Sequence, residues 1–196
     1  MQVKVIEECG YYAALFGIGL SYGHTSGKEV IDIQRDLELE ARLRKIALGL
    51  CKRAQNEDNN AHCKFLRQMS VVVDIQAPLY WWPQMDQYRV SCTTQSESRM
   101  HTLLKNPITQ DCFEHEISYE YMKILEDWRR SQRFIELVNA LPQGWLQRRI
   151  WSANYETLRI ICLQRTGHKL GEWAYFISEV KKGVKYPEFL EVENAV

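Results

Sequence analysis

The sequence lacks an excess of either charge: 25 lysines and arginines face 25 aspartates and glutamates across 196 residues. Bulk electrostatics therefore give it no hold on nucleic acid, and any anion site must be local. Paired cysteines are also missing. Cys9, Cys51, Cys63, Cys92, Cys112 and Cys162 are scattered without a CxxC. This argues against a zinc ribbon or dithiol redox motif, does not look like a disulfide framework, and fits a reducing cytoplasm with no metal site. No uncharged apolar run approaches a bilayer span, and MQVKVIEE is not a basic-then-apolar leader. A soluble, untargeted, cytoplasmic protein with no membrane or nucleic-acid partner is expected. Internal repeats and low-complexity tracts are absent too. The length suits one well-buried core, read as a single domain over residues 1–180 with a peripheral tail at 181–196.

What is present is concentrated between Asp74 and Leu103. Tyr80, Trp81, Trp82 and Tyr88 crowd the segment after Pro78, and Ser91, Thr93, Thr94, Ser96 and Ser98 follow. Arg89 stands between the halves and Arg99 closes the second. Hydroxyls, loop N–H groups and guanidinium groups together make an anion cradle. The same composition also describes an aromatic core helix followed by a solvated loop.

Periodicity places these residues on a mixed scaffold. Val3 and Val5 alternate with polar neighbours, predicting a strand, and Gly10 introduces an apolar helix over Tyr11 to Leu20. After a loop at Thr25 to Lys28, Asp36 caps an amphipathic helix carrying Leu37, Ala41, Leu43, Ile46, Leu50 and Cys51, which ends in the turn-forming KRAQNEDNNAH. Met69 to Ile75 reads as a central strand with both faces covered. Pro78 suits the first turn of a helix, and Pro83 kinks or delays that helix over Leu79 to Val90. Lys105 to Glu116 reads as a loop. Tyr119 to Ala140 reads as one long helix, interrupted in its apolar stripe by Gln132 and ended by Leu141-Pro142 and Gly144. Two helices, split near Gly167, fill Ser152 to Val180.

Within the helix expected over Ala153 to Arg165, Asn154 and Arg165 stand about three turns apart, which puts both on one face with Leu158, Ile161 and Cys162 between them. That face is either a buried wall with polar tips or one side of a ligand pocket. His62, before the β-branched strand, is either an ordinary hydrogen-bonded histidine or one that approaches a cofactor.

The order of these residues resembles the flavin-dependent thymidylate synthases. A His precedes a strand, Ala77-Pro78 and Gln84 follow, then a tripeptide ending in Arg89, a hydroxyl loop closing on Arg99, Leu141-Pro142, and a helix with Asn154 and Arg165. The resemblance covers about His62 to Glu172. It implies an α+β single domain, with a central, mostly antiparallel sheet flanked by long helices. It also implies that His62, Arg89 and Asn154 contact FAD, and that Gln84, Arg99 and Arg165 contact a pyrimidine nucleotide such as dUMP. A homotetramer is implied, together with one-carbon transfer from methylenetetrahydrofolate to C5 of the base through flavin reduced by NADPH. No cysteine nucleophile is implied, and the resemblance names no catalytic residue. Gln87-Tyr88-Arg89 replaces the family's Arg-His-Arg, and Glu97 replaces its loop Ser, between Ser96 and Ser98. Two other readings remain: a member of the fold that binds or assembles without catalysis, and a helical interaction module using exposed Trp and Tyr side chains.

Overall fold

The alternation around Val3 builds β1 (Gln2–Cys9) in the computed structural model, which describes residues 1–56 and 60–191. The fold is α+β. β1, β2 (Ser70–Pro78), β3 (Thr93–Ser96) and β4 (Leu146–Asn154) form one antiparallel sheet in the order β1-β2-β4-β3, flanked by helices. Chain contacts divide the protein into two compact units: residues 1–3, 74–89 and 94–151 form unit 1, and residues 4–73, 90–93 and 152–196 form unit 2.

Unit 2 holds α1 (Tyr11–Ser21), α2 (Val30–Arg35), α3 (Leu37–Asn56), a 3-10 helix at Asn60–Gln68, α8 (Tyr155–Arg165) and α9 (Gly171–Gly183). β1 passes into α1 through Gly10, whose φ of 93° is left-handed. A Cβ there would stand 1.9 Å from the Gln68 carbonyl oxygen, so only glycine fits. Asp36 does cap α3, its Oδ1 accepting the Leu39 N–H at 3.0 Å. The amphipathic reading of α3 holds for Leu43 and Cys51, which are buried, but Ala41 is exposed and Leu37 is 78% exposed. The helix also runs on through Lys52, Arg53 and Gln55 to Asn56, longer than its polar composition suggests. The centre of the expected turn, 57–59, and residues 192–196 of the tail lie outside the described residues. Phe189 and Leu190, just before them, are buried.

β2 departs from the expected strand with both faces covered. Val71, Val73, Ile75 and Ala77 are fully buried while their neighbours are half-buried, so the strand alternates and ends at Pro78.

Unit 1 contains α4 (Trp82–Met85), α5 (Arg99–Thr102), α6 (Tyr119–Arg130) and α7 (Phe134–Ala140). Pro78 closes the strand instead of opening a helix, and Pro83 lies in the first turn of a helix of only four residues, where its missing N–H costs nothing. The helix expected over Tyr119 to Ala140 is two helices, because Gln132 takes a left-handed φ of 56° between them. Their apolar faces bury Leu103, Ile108, Phe113, Leu125, Leu137 and Leu141 as one core.

A carboxylate ties that core to the preceding loop. Glu126 accepts from Arg129 at 2.7 Å on each oxygen, from Arg130 at 2.9 Å and from the Ile108 N–H at 2.9 Å. Arg129 above all, with Ile108 and Arg130, holds the Glu126 carboxyl down at about 2, against 4.5 for the free group. A depressed carboxylate pKa stabilises the fold fully above the unfolded value and loses that contribution as pH falls through the folded one. Glu126→Gln is therefore expected to melt below the wild type at neutral pH, and the gap to close between pH 4.5 and about 2 in thermal melts. Gly10→Ala is expected to destabilise by about 3 kcal/mol or more, since it adds a clash with backbone to a strained φ. Chemical denaturation measures this loss.

Candidate functional site

In unit 1 the residues around Gln84 are held by a stacked cation. Trp82 is 1% exposed and its Nε1 donates to the Ala77 carbonyl at 3.1 Å, folding α4 back on the end of β2. The Arg149 guanidinium lies 4.1 Å over the Trp82 ring, donates to Asp86 at 3.0 and 3.3 Å, and shares Gln147 Oε1 at 3.2 and 3.1 Å. Trp81 packs edge-on against Trp82 and is also fully buried. The two tryptophans are thus core, and offer no partner surface of the kind an interaction module needs.

The hydroxyl segment is a strand rather than a loop: Thr93 to Ser96 form the exposed edge strand β3. Glu97 follows it. Its N–H donates to the Arg148 carbonyl at 2.9 Å, Gln147 Nε2 donates to its carbonyl at 3.2 Å, and its carboxylate turns toward the Arg148 N–H at 3.5 Å.

The arginines of unit 1 fall into two groups. Arg129 and Arg130 pair with Glu126, Arg133 with Glu136, Arg148 with Asp74, and Arg149 with Asp86. Arg89 and Arg99 have no carboxylate partner among the described residues. Arg89 is exposed and donates only to the Asp86 carbonyl at 3.2 Å, and Arg99, half-buried at the start of α5, has no side-chain hydrogen bond or ion pair among those residues. A guanidinium without a carboxylate partner is free to pair with an anion as a two-pronged donor.

His62, Asn154 and Arg165 fall in unit 2. His62 is half-buried in the 3-10 helix Asn60–Gln68. Asn154 is the last residue of β4 and the N-cap of α8, with φ −107° and ψ 169°, and its Oδ1 accepts the Thr157 N–H at 2.9 Å. It therefore lies outside the helix, and the expected shared face with Arg165 does not form. Leu158, Ile161 and Cys162 between them are buried as expected. Arg165 stacks 4.7 Å over the Trp173 ring. Beside Asn154, Glu156 is 8% exposed and accepts Arg67 Nε at 2.7 Å, and Tyr155 donates to Glu8 at 2.6 Å. Burial, then the bond to Glu8, pushes the Tyr155 hydroxyl far above the usual phenol range, so it stays a donor. Gln84, Arg89 and Arg99 belong to unit 1.

The motif reading missed Arg149, because β4 was not visible as a strand. Its one signal is the order Gln147, Arg149, Trp151, which is alternate spacing with unusually polar members. No group of three or more His, Cys, Asp or Glu among the described residues is arranged to hold a metal, and no helix there is long and apolar enough to cross a membrane.

No family model and no curated protein matches the sequence. Solved structures do. A flavin-dependent thymidylate synthase, ThyX, from Helicobacter pylori complexed with FAD and dUMP superposes with a TM-score of 0.70 at 13% identity, over 97% of this chain and 98% of that one. A second structure of Helicobacter pylori ThyX with FAD and dUMP gives 0.68 at 13% identity, over 97% of each chain. The chain has the ThyX fold. At this identity the likeness concerns backbone architecture, and the ThyX-like scaffold carries its own pattern of paired and unpaired side chains at the six positions.

One of those positions has a structural duty that can be measured without ligand. Asn154→Ala is expected to lower stability by about 1 kcal/mol through loss of the cap, whereas Asn154→Asp keeps the acceptor and most of that stability. Melting of the ligand-free variants checks both.

Proposed function

We propose that the chain binds FAD and a pyrimidine nucleotide of the dUMP type, and that it transfers a one-carbon unit to C5 of the base. The observation that carries this reading is the pair Arg89 and Arg99: on a ThyX fold, they are the two arginines of unit 1 without a carboxylate partner among the described residues. Both fit an anionic ligand. Arg99 takes the nucleotide phosphate as a two-pronged donor, with Gln84 and Arg165 toward the nucleotide. His62, Arg89 and the amide of Asn154 take the flavin. The flavin supplies redox chemistry when bound, with NADPH as reductant and methylenetetrahydrofolate as one-carbon donor. The chain's own residues bind and orient. A cytoplasmic homotetramer is the expected state, on the same likeness.

A second reading, a ThyX-fold binding or assembly protein without turnover, is favoured by a specific observation. Asn154 Oδ1 is spent on the helix cap, Arg165 is stacked on Trp173, and Gln87-Tyr88 supplies neither the cation nor the imidazole of Arg-His-Arg. We rank it second because Arg89 and Arg99 serve a bound anion in either reading, and the similar ThyX structure holds both FAD and dUMP.

Absorption spectra of the purified protein before and after FAD is added separate the readings from any without flavin: a protein that stays colourless after desalting rules out flavin binding. Arg99→Ala is expected to weaken dUMP binding, measured calorimetrically, by on the order of 2 kcal/mol, the scale of a charge-assisted hydrogen bond. Unchanged affinity moves the phosphate elsewhere. Flavin and dUMP binding without dUMP methylation in the presence of both co-substrates establishes the second reading. Sedimentation gives the oligomeric state directly.

A further inference from the structure

Two cysteines far from any motif spacing meet in unit 2. Cys51 near the end of α3 and Cys63 in the 3-10 helix Asn60–Gln68 are 3% and 1% exposed, and their thiols hydrogen-bond to each other. The two elements that carry them pack together. Arg159 reaches the same spot, its Nη2 donating to the Cys51 carbonyl at 3.3 Å while its charge acts on both sulfurs. The bond from Cys51, against the opposing effect of burial, lowers the pKa of the Cys63 thiol, and Arg159 adds to this. That bond and burial raise the pKa of Cys51. The two thiols and the cation that acts on both make this pair the one placed to react together with a small oxidant. The remaining cysteines show no such partner thiol among the described residues, and all six are reduced.

We propose that Cys51 and Cys63 form a redox modification site, a thiol pair that peroxide converts reversibly into an intramolecular disulfide linking α3 to the 3-10 helix. The Cys63 thiolate attacks one peroxide oxygen, the O–O bond breaks, and a sulfenic acid forms as the other oxygen leaves and takes up a proton as water. Cys51 sulfur then attacks the Cys63 sulfur; the S–S bond forms, the S–O bond breaks, and the hydroxyl leaves with the Cys51 proton as a second water. Two thiols lose two electrons and two protons, and one peroxide is reduced to two waters. Burial slows the reaction and admits a small oxidant in preference to a bulky disulfide. None of this depends on flavin or nucleotide.

The test is intact-mass and peptide mapping of the full chain after hydrogen peroxide, with free thiols alkylated under denaturing conditions. The expected product loses about 2 Da, carries a linked Cys51–Cys63 peptide pair, returns to the starting mass with dithiothreitol, and melts a few degrees higher than the reduced protein. Cys51→Ser is expected to abolish both the linkage and the melting shift. If that variant does not fold, the wild-type peptide map decides alone. Cys51 and Cys63 both alkylating in full under conditions that oxidise the exposed Cys9, or pairing with other cysteines instead, would overturn the proposal.

Discussion

Unit 2 depends on a buried cation whose hydrogen bonds among the described residues all go to neutral oxygens. Arg159 is 8% exposed, and its guanidinium donates to the carbonyls of Phe189 at 3.0 Å, Glu191 at 2.6 Å and Cys51 at 3.3 Å, and to Gln55 Oε1 at 3.3 Å. Removing such a charge from water costs several kcal/mol, and the cost is offset only if every prong of the fork finds an acceptor. Phe189, in the 3-10 turn Pro187–Leu190, and Glu191 just after it supply carbonyls left over at a helix end, and Cys51 and Gln55 supply the others from α3. One side chain on α8 thereby fixes the end of α3 and the segment around Phe189. Tyr155, four residues earlier, ties α8 to Glu8 of β1, and Glu8 in turn accepts the Lys185 N–H at 2.8 Å. The position of α8 is over-determined, and with it the places of Asn154 and Arg165 at its two ends.

Unit 1 solves the same problem with carboxylates and a ring. Arg149 satisfies Asp86 and Gln147 and presents its face to Trp82, so a strand residue that would otherwise expose charge becomes the support of α4. Arg148, pointing the opposite way along the pleat, clamps Asp74 across the sheet. Adjacent arginines on one strand thus serve opposite faces, each neutralised.

Where one residue period dominated, the fold was legible in sequence. The alternation of β1, the apolar run of α1 and the face of α3 each belong to a single pattern that packing then respects. β4 was not legible because LQRRIWSAN hides its alternation behind buried polar side chains. Gln147 is 7% exposed because Glu97 accepts its amide N–H, and Arg149 is sheltered by Trp82. Asn154 misled for a related reason: spacing arithmetic assumes that a residue near a helix lies in it, whereas an asparagine at that position competes for the first N–H groups and stops the helix short. Pro78 misled because it suits a helix start as well as a strand end, and only the carbonyl pairing of Leu79 and Tyr80 with Trp145 and Gln143 decides where the strand ends, whereas Pro83 does delay the helix, which starts at Trp82. The candidate residues could be read as a succession, but which of them were already committed to neighbours could not, since that depends on partners distant in sequence.

Commitment also decides which charges of a chain with zero formal charge are left for a ligand. Coulomb energies between exposed groups fall off within a Debye length of about 10 Å, so distant carboxylates count for little and adjacent ones for much. In unit 1 Asp74, Asp86, Glu126 and Glu136 are each neutralised at contact by an arginine other than Arg89 or Arg99. The remaining acid in the segment is Glu97, where the resemblance places a serine. Its carboxylate turns to the Arg148 N–H, and Arg148 and Glu97 also act on each other electrostatically. Glu97 is exposed, so solvent as well as Arg148 screens its charge from an anion near Arg99. The substitution that looks most hostile to a phosphate thus has a cation beside it on β4.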